Sequence, residues 1–87
     1  MTALVTGAGG AIGRGIAGRL AADGHSVAVI DIDRNAAQQT SKVIRAAGGV
    51  ALPIQCDLRN VDEIATAFTT TEDKLGSVEV LVNNAAV

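Results

Sequence analysis

Short runs of apolar, often β-branched residues alternate along the chain with longer segments whose apolar positions recur at helical spacing. Ala3-Leu4-Val5-Thr6 predicts a strand that stops at a glycine cluster. From Ile12 to about Asp23 the period predicts a helix, with Ile16, Leu20 and neighbouring alanines on one face and Gly24 as its stop. Ser26 to Asp31 predicts a second strand. Its Val27-Ala28-Val29-Ile30 is continuously apolar rather than alternating, as suits a strand covered on both faces.

Asn35 with Gln38 three residues on has capping-box spacing and predicts the start of a second helix. Val43, Ile44 and Ala47 supply its expected inner face, and Gly48-Gly49 ends it. Val50 to Gln55 predicts a third strand, assigned to a sheet edge by Pro53, which has no N–H to donate. Asn60 and Glu63 repeat the capping-box spacing. Val61, Ile64, Phe68 and Leu75 then fall on one stripe of a third helix that stops at Gly76. Val78 to Val82 predicts a fourth strand, running into Asn83-Asn84.

The order βαβαβαβ implies an α/β fold: a Rossmann-type, doubly wound parallel sheet with right-handed crossovers and strand order 3-2-1-4. Strands 1 to 3 step one way, and the chain then crosses back to set strand 4 beside strand 1. That reversal opens a crevice at the carboxyl ends of strands 1 and 4, where such sheets take ligands.

Composition narrows the candidates. At 87 residues the chain makes one small domain at most, and 48% apolar residues exclude a disordered tail. Ala and Gly fill 26 of 87 positions and Phe68 is the only aromatic, which suits close helix-on-sheet packing and argues against stacking nucleic-acid bases. A net charge of -2 without a basic stripe gives no reason to expect nucleic acid or an anionic membrane as partner. The lone Cys56 excludes an internal disulfide and a multi-cysteine metal site, so no metal is expected. No apolar run reaches the ~20 residues of a membrane span. Met1 leads almost directly into Leu4-Val5-Thr6, leaving no room for a signal peptide, and the cytoplasm is the expected location.

The chemistry concentrates in the loops. Thr6-Gly7-Ala8-Gly9-Gly10-Ala11-Ile12-Gly13 joins strand 1 to helix 1. Glycines there allow a tight turn and bring backbone N–H groups and a helix N-terminus close to a diphosphate. Gly13, one turn on, lets the helix lie close to the sheet. No Gly-Lys-Ser/Thr follows, which excludes a P-loop nucleotidase, and Ile12 replaces the last glycine of Gly-x-Gly-x-x-Gly. A merely connecting turn is the other reading, but one turn does not need so many glycines.

Asp31 ends strand 2. A carboxylate there accepts from both hydroxyls of an adenosine ribose and repels a 2′-phosphate, so NAD is expected over NADP. The plain alternative has Asp31 or Asp33 only opening the turn before helix 2, with Arg34 as a solvated first-turn side chain. After strand 3, Asp57 is placed to accept from an adenine amino group and the Leu58 N–H to meet a ring nitrogen; an ordinary acidic loop stands as the equal alternative. Cys56 reads as a small buried apolar residue and His25, at the opposite end of the sheet, as structural.

Thr6-Gly7-x-x-x-Ala11-x-Gly13, Asp31, Asp57-Leu58 and Leu81-Val82-Asn83-Asn84-Ala85-Ala86 together resemble the short-chain dehydrogenase/reductase family over the whole chain. Ala11 stands where the family usually has glycine, and Ala85-Ala86 where Ala-Gly is usual. Gly7, Gly10 and Gly13 also fit the loop of the extended, epimerase-like branch, whereas Asn83-Asn84-Ala85 and the long third helix resemble the main single-domain branch, which is preferred. The resemblance implies that Gly7, Ala8, Gly9, Gly10 and Ile12 contact the diphosphate, Asp31 the ribose, Asp57 and Leu58 the adenine, and Asn84 the sugar nearer the nicotinamide. Gly13, Ile32, Ala85 and Ala86 join them as cofactor-binding positions. Glycine at position 10, where NADP-preferring members often carry a basic residue, agrees with NAD.

By the same resemblance, proton transfer falls to a tyrosine and a lysine four residues on, helped by a serine and an asparagine, all beyond the Asn-Asn-Ala motif. The chain contains no tyrosine, so no catalytic residue is assigned within it. Residues 1–87 are thus expected to be the N-terminal part of a dinucleotide-binding domain, incomplete relative to the family and inactive alone. The complete protein is expected to be an NAD-dependent oxidoreductase of an alcohol/ketone pair, homo-oligomeric by the same resemblance. The alternative is a stand-alone dinucleotide-binding or interaction module without catalysis. A response-regulator-like module fits poorly, since Val5-Thr6-Gly7 stands where acidic residues would cluster.

Overall fold

A computed structural model describes residues 1–85. Strand β1 (Thr2–Thr6) leads to α1 (Ala11–Ala22), β2 (Ser26–Asp31), α2 (Arg34–Ala46), β3 (Val50–Gln55), α3 (Val61–Leu75) and β4 (Val78–Asn83). The four strands form one parallel sheet in the order β3-β2-β1-β4, as the element order predicts. Pro53 lies in β3, at the sheet edge.

Hydrophobic burial holds the layers together. Val5, Val27 and Val29 pack with Ala17, Ala37 and Ile44 under α1 and α2. Leu4, Ala28 and Ile30 pack with Ala67, and with the flanking Ile64 and Phe68, under α3. Successive residues of β1 and β2 thus face opposite layers, which is why both strands read as continuous apolar runs. Each fully buried Val or Ile here contributes roughly 1.5–3 kcal/mol relative to exposure. On β4 the pattern alternates instead, with Leu81 57% exposed. Among the described residues β4 pairs only with β1.

Four local expectations are corrected. The cap of α2 is Asp33 rather than Asn35: its carboxylate accepts from the Ala36 N–H at 3.2 Å, and Asn35 lies inside the first turn. The inner face of α2 is Ala37, Thr40, Ser41 and Ile44, which have helical spacing. Val43, about 100° of helix rotation from Ile44, is 57% exposed, and Ala47 is an exposed C-cap. In α3, Asn60 caps as expected, accepting from Asp62 N–H at 3.0 Å and Glu63 N–H at 3.2 Å. The Glu63 carboxylate, however, accepts from the Asp57 N–H at 3.0 Å, tying the loop after β3 to the helix. Val61 at the head of α3 is exposed, and Ala67 and Thr71 hold the buried centre.

Candidate functional site

The in-register pairs Thr6↔Ile30, Asp31↔Gln55 and Thr6↔Asn83 bring the carboxyl ends of all four strands to one rim of the sheet. The glycine loop opens there. Gly7 takes φ +64°, a left-handed conformation that turns the chain out of β1 and that only glycine adopts readily. Ala8, fully buried, anchors the loop to β2 through its N–H to Ile30 O at 3.0 Å. Gly13 sits behind the loop, where a Cβ would lie 2.1 Å from Gly7 O and 2.8 Å from Asn84 Nδ2. Only glycine lets the helix start so close to the strand end.

The three helices begin differently. Side chains cap α2 and α3, but none caps α1 among the described residues, and the first bond of its ladder runs from Arg14 N–H to Gly10 O. The N–H groups of Ala11, Ile12 and Gly13 precede that ladder and carry the partial positive charge of the helix start. Ile12, at 74% exposure, is an apolar side chain beside these donors that the described residues leave uncovered.

A cavity of about 530 Å³ lies between this loop and the ends of β2 and β3, lined among others by Gly7, Gly10, Asp31, Ile32, Asp57 and Leu58. Its size falls within the roughly 300–1,000 Å³ of small-molecule pockets. Asp31 forms one wall. Its Oδ2 accepts from Gly9 N–H and its Oδ1 from Asp33 N–H, each at 2.9 Å. A carboxylate has about four acceptor directions, so these two bonds fix its orientation and leave about two for hydroxyl groups. Ile32, 55% exposed, extends the wall. Arg34 is turned to Gln55 Oε1 at 3.3 Å and does not line the cavity.

On the facing wall Asp57 is held by Arg59, through the Arg59 N–H (2.9 Å) and Nε (3.0 Å) to Oδ1 and Nη2 (2.9 Å) to Oδ2. These bonds to Arg59 hold the Asp57 carboxyl below its usual pKa. Three of its acceptor directions are taken, leaving about one for a ligand. Cys56, buried at the floor, has its thiol pKa pushed up by burial and then by the carboxylates of Glu63 and Asp57. That is the opposite of what a nucleophile needs.

Thr6 is the hub joining the loop to β4. Its Oγ1 accepts from the N–H of Asn84 at 3.0 Å and of Ala85 at 3.2 Å, while the Asn84 side-chain NH2 donates to Gly7 O at 3.3 Å. Gly7, Gly10, Asp31, Ile32, Asp57, Leu58 and Ala85 therefore meet around one cavity. Ala8, Gly9, Gly13 and Asn84 build the loop behind it, Ile12 lies on the surface, and Ala86 falls outside the described residues. Thr40 and Arg59 carry bonds at positions the sequence did not single out, and Thr6, present there as the first residue of the glycine motif, carries bonds the motif did not assign. The Thr-Gly pair signalled Thr6; nothing in the helical run Gln38-Gln39-Thr40-Ser41 signalled Thr40.

A nicotinamide dinucleotide fits these residues: uncapped amides for a diphosphate, a fixed carboxylate for a ribose and an apolar wall beside it. Fold and loop together define a Rossmann-type unit. The family described as short chain dehydrogenase matches residues 1–87. The chain is 41% identical over 85 residues to the short-chain reductase protein NovJ of Streptomyces niveus, covering 98% of this chain and 32% of that protein. It is 41% identical over 83 residues to 7alpha-hydroxysteroid dehydrogenase of Escherichia coli, covering 95% and 32%, and 40% identical over 87 residues to L-2,3-butanediol dehydrogenase of Corynebacterium glutamicum, covering 98% and 34%.

Among solved structures, a hydroxysteroid dehydrogenase from Escherichia coli superposes with a TM-score of 0.95 at 40% identity, over 99% of this chain and 37% of that one. A metagenomic short-chain oxidoreductase in complex with NADP gives 0.93 at 39% identity, over 100% and 39%. The chain belongs to the short-chain dehydrogenase family, whose members bind NAD(P). It spans about a third of the length of the curated relatives it matches. Among the described residues no helix is long and apolar enough to cross a membrane.

Proposed function

We propose that residues 1–87 are the N-terminal, cofactor-cradling part of an NAD-dependent oxidoreductase acting on an alcohol/ketone pair. The observation that carries the reading is the Asp31 carboxylate, fixed by two backbone N–H groups on the wall of the main cavity. In that position it accepts from the 2′- and 3′-hydroxyls of an adenosine ribose, and its charge opposes a 2′-phosphate. The relative solved with NADP makes NADP the cofactor to test against. The names of the hydroxysteroid and butanediol dehydrogenases support an alcohol/ketone couple.

Each group then has a task. The N–H donors of Ala11, Ile12 and Gly13 receive the diphosphate, and Gly7 and Gly10 keep side chains out of its way. Ile12 and Ile32 cover the ligand and exclude water. Asp57 and Leu58 face the adenine, Asp57 offering the acceptor direction that Arg59 leaves open. Asn84 braces Gly7 and borders the sugar nearer the nicotinamide, and the family resemblance adds Ala85 and Ala86 as cofactor-binding positions. The bound cofactor supplies the hydride acceptor or donor. The chain has no tyrosine, so a tyrosine acid would come from outside residues 1–87. Association into a homo-oligomer, supported by the family resemblance, and a cytoplasmic location, supported by the single unpaired Cys56, belong to the same proposal.

The test is calorimetric titration of the natural protein carrying this chain with NAD+ and NADP+. NAD+ is expected to bind more tightly. Asp31→Ala removes charge-assisted bonds worth about 1.5–3 kcal/mol each, so NAD+ weakens at least tenfold while NADP+ is unchanged or improved. Tighter NADP+ binding in the unaltered protein sinks the NAD assignment.

A further inference from the structure

Thr40 points from α2 into the space behind the glycine loop at 0% exposure. Its hydroxyl donates to Ala8 O at 2.9 Å and accepts from Arg14 Nε at 3.1 Å. With both roles filled, the hydroxyl is oriented rather than free to rotate. The polar contact thereby links three segments: the start of α1, the glycine loop and the middle of α2.

The carbonyl it holds has a particular neighbour. Ala8 O and Gly9 N–H belong to the same peptide unit, and Gly9 N–H is the group that donates to Asp31 Oδ2 at 2.9 Å. A trans peptide is planar, with its C=O and N–H directed oppositely, so clamping one end orients the other. Glycine at position 9 has a permissive backbone and supplies little restoring force of its own. The orientation of this unit therefore depends on its two clamps, Thr40 at the carbonyl and Asp31 at the amide.

We propose that Thr40 is a positioning residue for nucleotide selection: through the Ala8–Gly9 peptide it holds the Asp31 carboxylate in the orientation that accepts a ribose diol and rejects a 2′-phosphate. This rests on the reading of Asp31 given above. Without the hydroxyl, the peptide unit turns about its flanking bonds, and Oδ2 loses a fixed donor. The carboxylate is then held only at Oδ1, by the Asp33 N–H, and can turn about that bond, which weakens NAD+ and lowers the obstacle to NADP+ together. A hydroxyl that merely fills space behind the loop would weaken both nucleotides alike.

The experiment titrates NAD+ and NADP+ into the natural protein and its Thr40→Val, Thr40→Ser and Asp31→Ala variants. Thr40→Val keeps the shape and loses the hydroxyl; it is expected to weaken NAD+ about tenfold, as for one lost hydrogen bond, and to narrow the NAD+/NADP+ ratio. Thr40→Ser is expected to restore both. Should Thr40→Val not fold, Thr40→Ala carries the same comparison without a methyl pressed on the loop. A wild-type ratio in the hydroxyl-less variant, with a shifted ratio in Asp31→Ala, overturns the role of Thr40 and leaves Asp31 standing. Equal loss in Thr40→Val and Thr40→Ser also overturns it, in favour of packing. An unshifted ratio in Asp31→Ala removes the ribose reading itself and the proposal with it.

Discussion

Gly13→Ala and Gly15→Ala make the same chemical change two residues apart in α1, and the structure gives them opposite signs. At Gly13 the new methyl would stand 2.1 Å from Gly7 O and 2.8 Å from Asn84 Nδ2. Ordinary contact for such a carbon begins near 3.4 Å, so helix and loop must separate by about 1 Å. The obstacle at 2.1 Å is backbone, held by Asn84 and by the Gly10 N–H, so no side chain can swing aside. Overpacking of this kind costs about 1–3 kcal/mol, and a backbone clash belongs at the upper end. Alanine recovers roughly 0.5–1 kcal/mol of helix propensity, leaving a net loss of about 2 kcal/mol. At Gly15 no atom of the described residues lies within 4 Å of the added carbon, so only the propensity gain of about 0.5–1 kcal/mol remains. Urea denaturation of the natural protein at matched m-values reads both. A Gly13→Ala midpoint at or above wild type would refute the close-approach argument. Equal destabilisation by both changes would show that α1 resists alanine for some other reason.

Two further outcomes follow from the loop after β3. Asn60→Ala removes the acceptor for the Asp62 and Glu63 N–H groups and is expected to cost about 1 kcal/mol in urea denaturation; no loss would mean α3 does not depend on its cap. The folded-state pKa of Asp57 lies below its ordinary value because Arg59 binds the charged form, so the stabilisation from this pair is present above the ordinary carboxylate pKa and is lost as pH falls through the folded-state value. Arg59→Ala is expected to move Asp57 back up in an NMR pH titration, and an unmoved pKa would show that another group holds it.

Most of the architecture was legible because burial imposes periodicity. β1 and β2 are covered on both faces and read as unbroken apolar runs; Pro53 could only lie at an edge; Asn60 is the right residue at the right spacing for a cap. The start of α2 departs from the capping-box spacing because two caps compete there. Asp33 and Asn35 are both good N-cap residues, and the choice fell to Asp33 because Asp31 already holds the Asp33 N–H. The inner face of α2 departs from the apolar pattern for a related reason: close packing of α2 on the sheet and α1 admits small side chains, and among them Thr40 and Ser41 look like solvent-facing polar positions in a linear chain.

The sequence by itself determined the order of elements, the parallel sheet and its reversal, the glycine loop at the first βα turn and the acidic end of β2. These follow from rules local in the chain: apolar period, turn chemistry, and the missing Cβ where backbone must come close. Only the tertiary structure decided which groups hold which. The clamp on the Ala8–Gly9 peptide joins residues 32 positions apart, and the bond from Asn84 to Gly7 joins residues 77 apart. Such bonds carry no period and leave no mark in the linear order, because a hydroxyl finds its partner only after burial has brought two layers together.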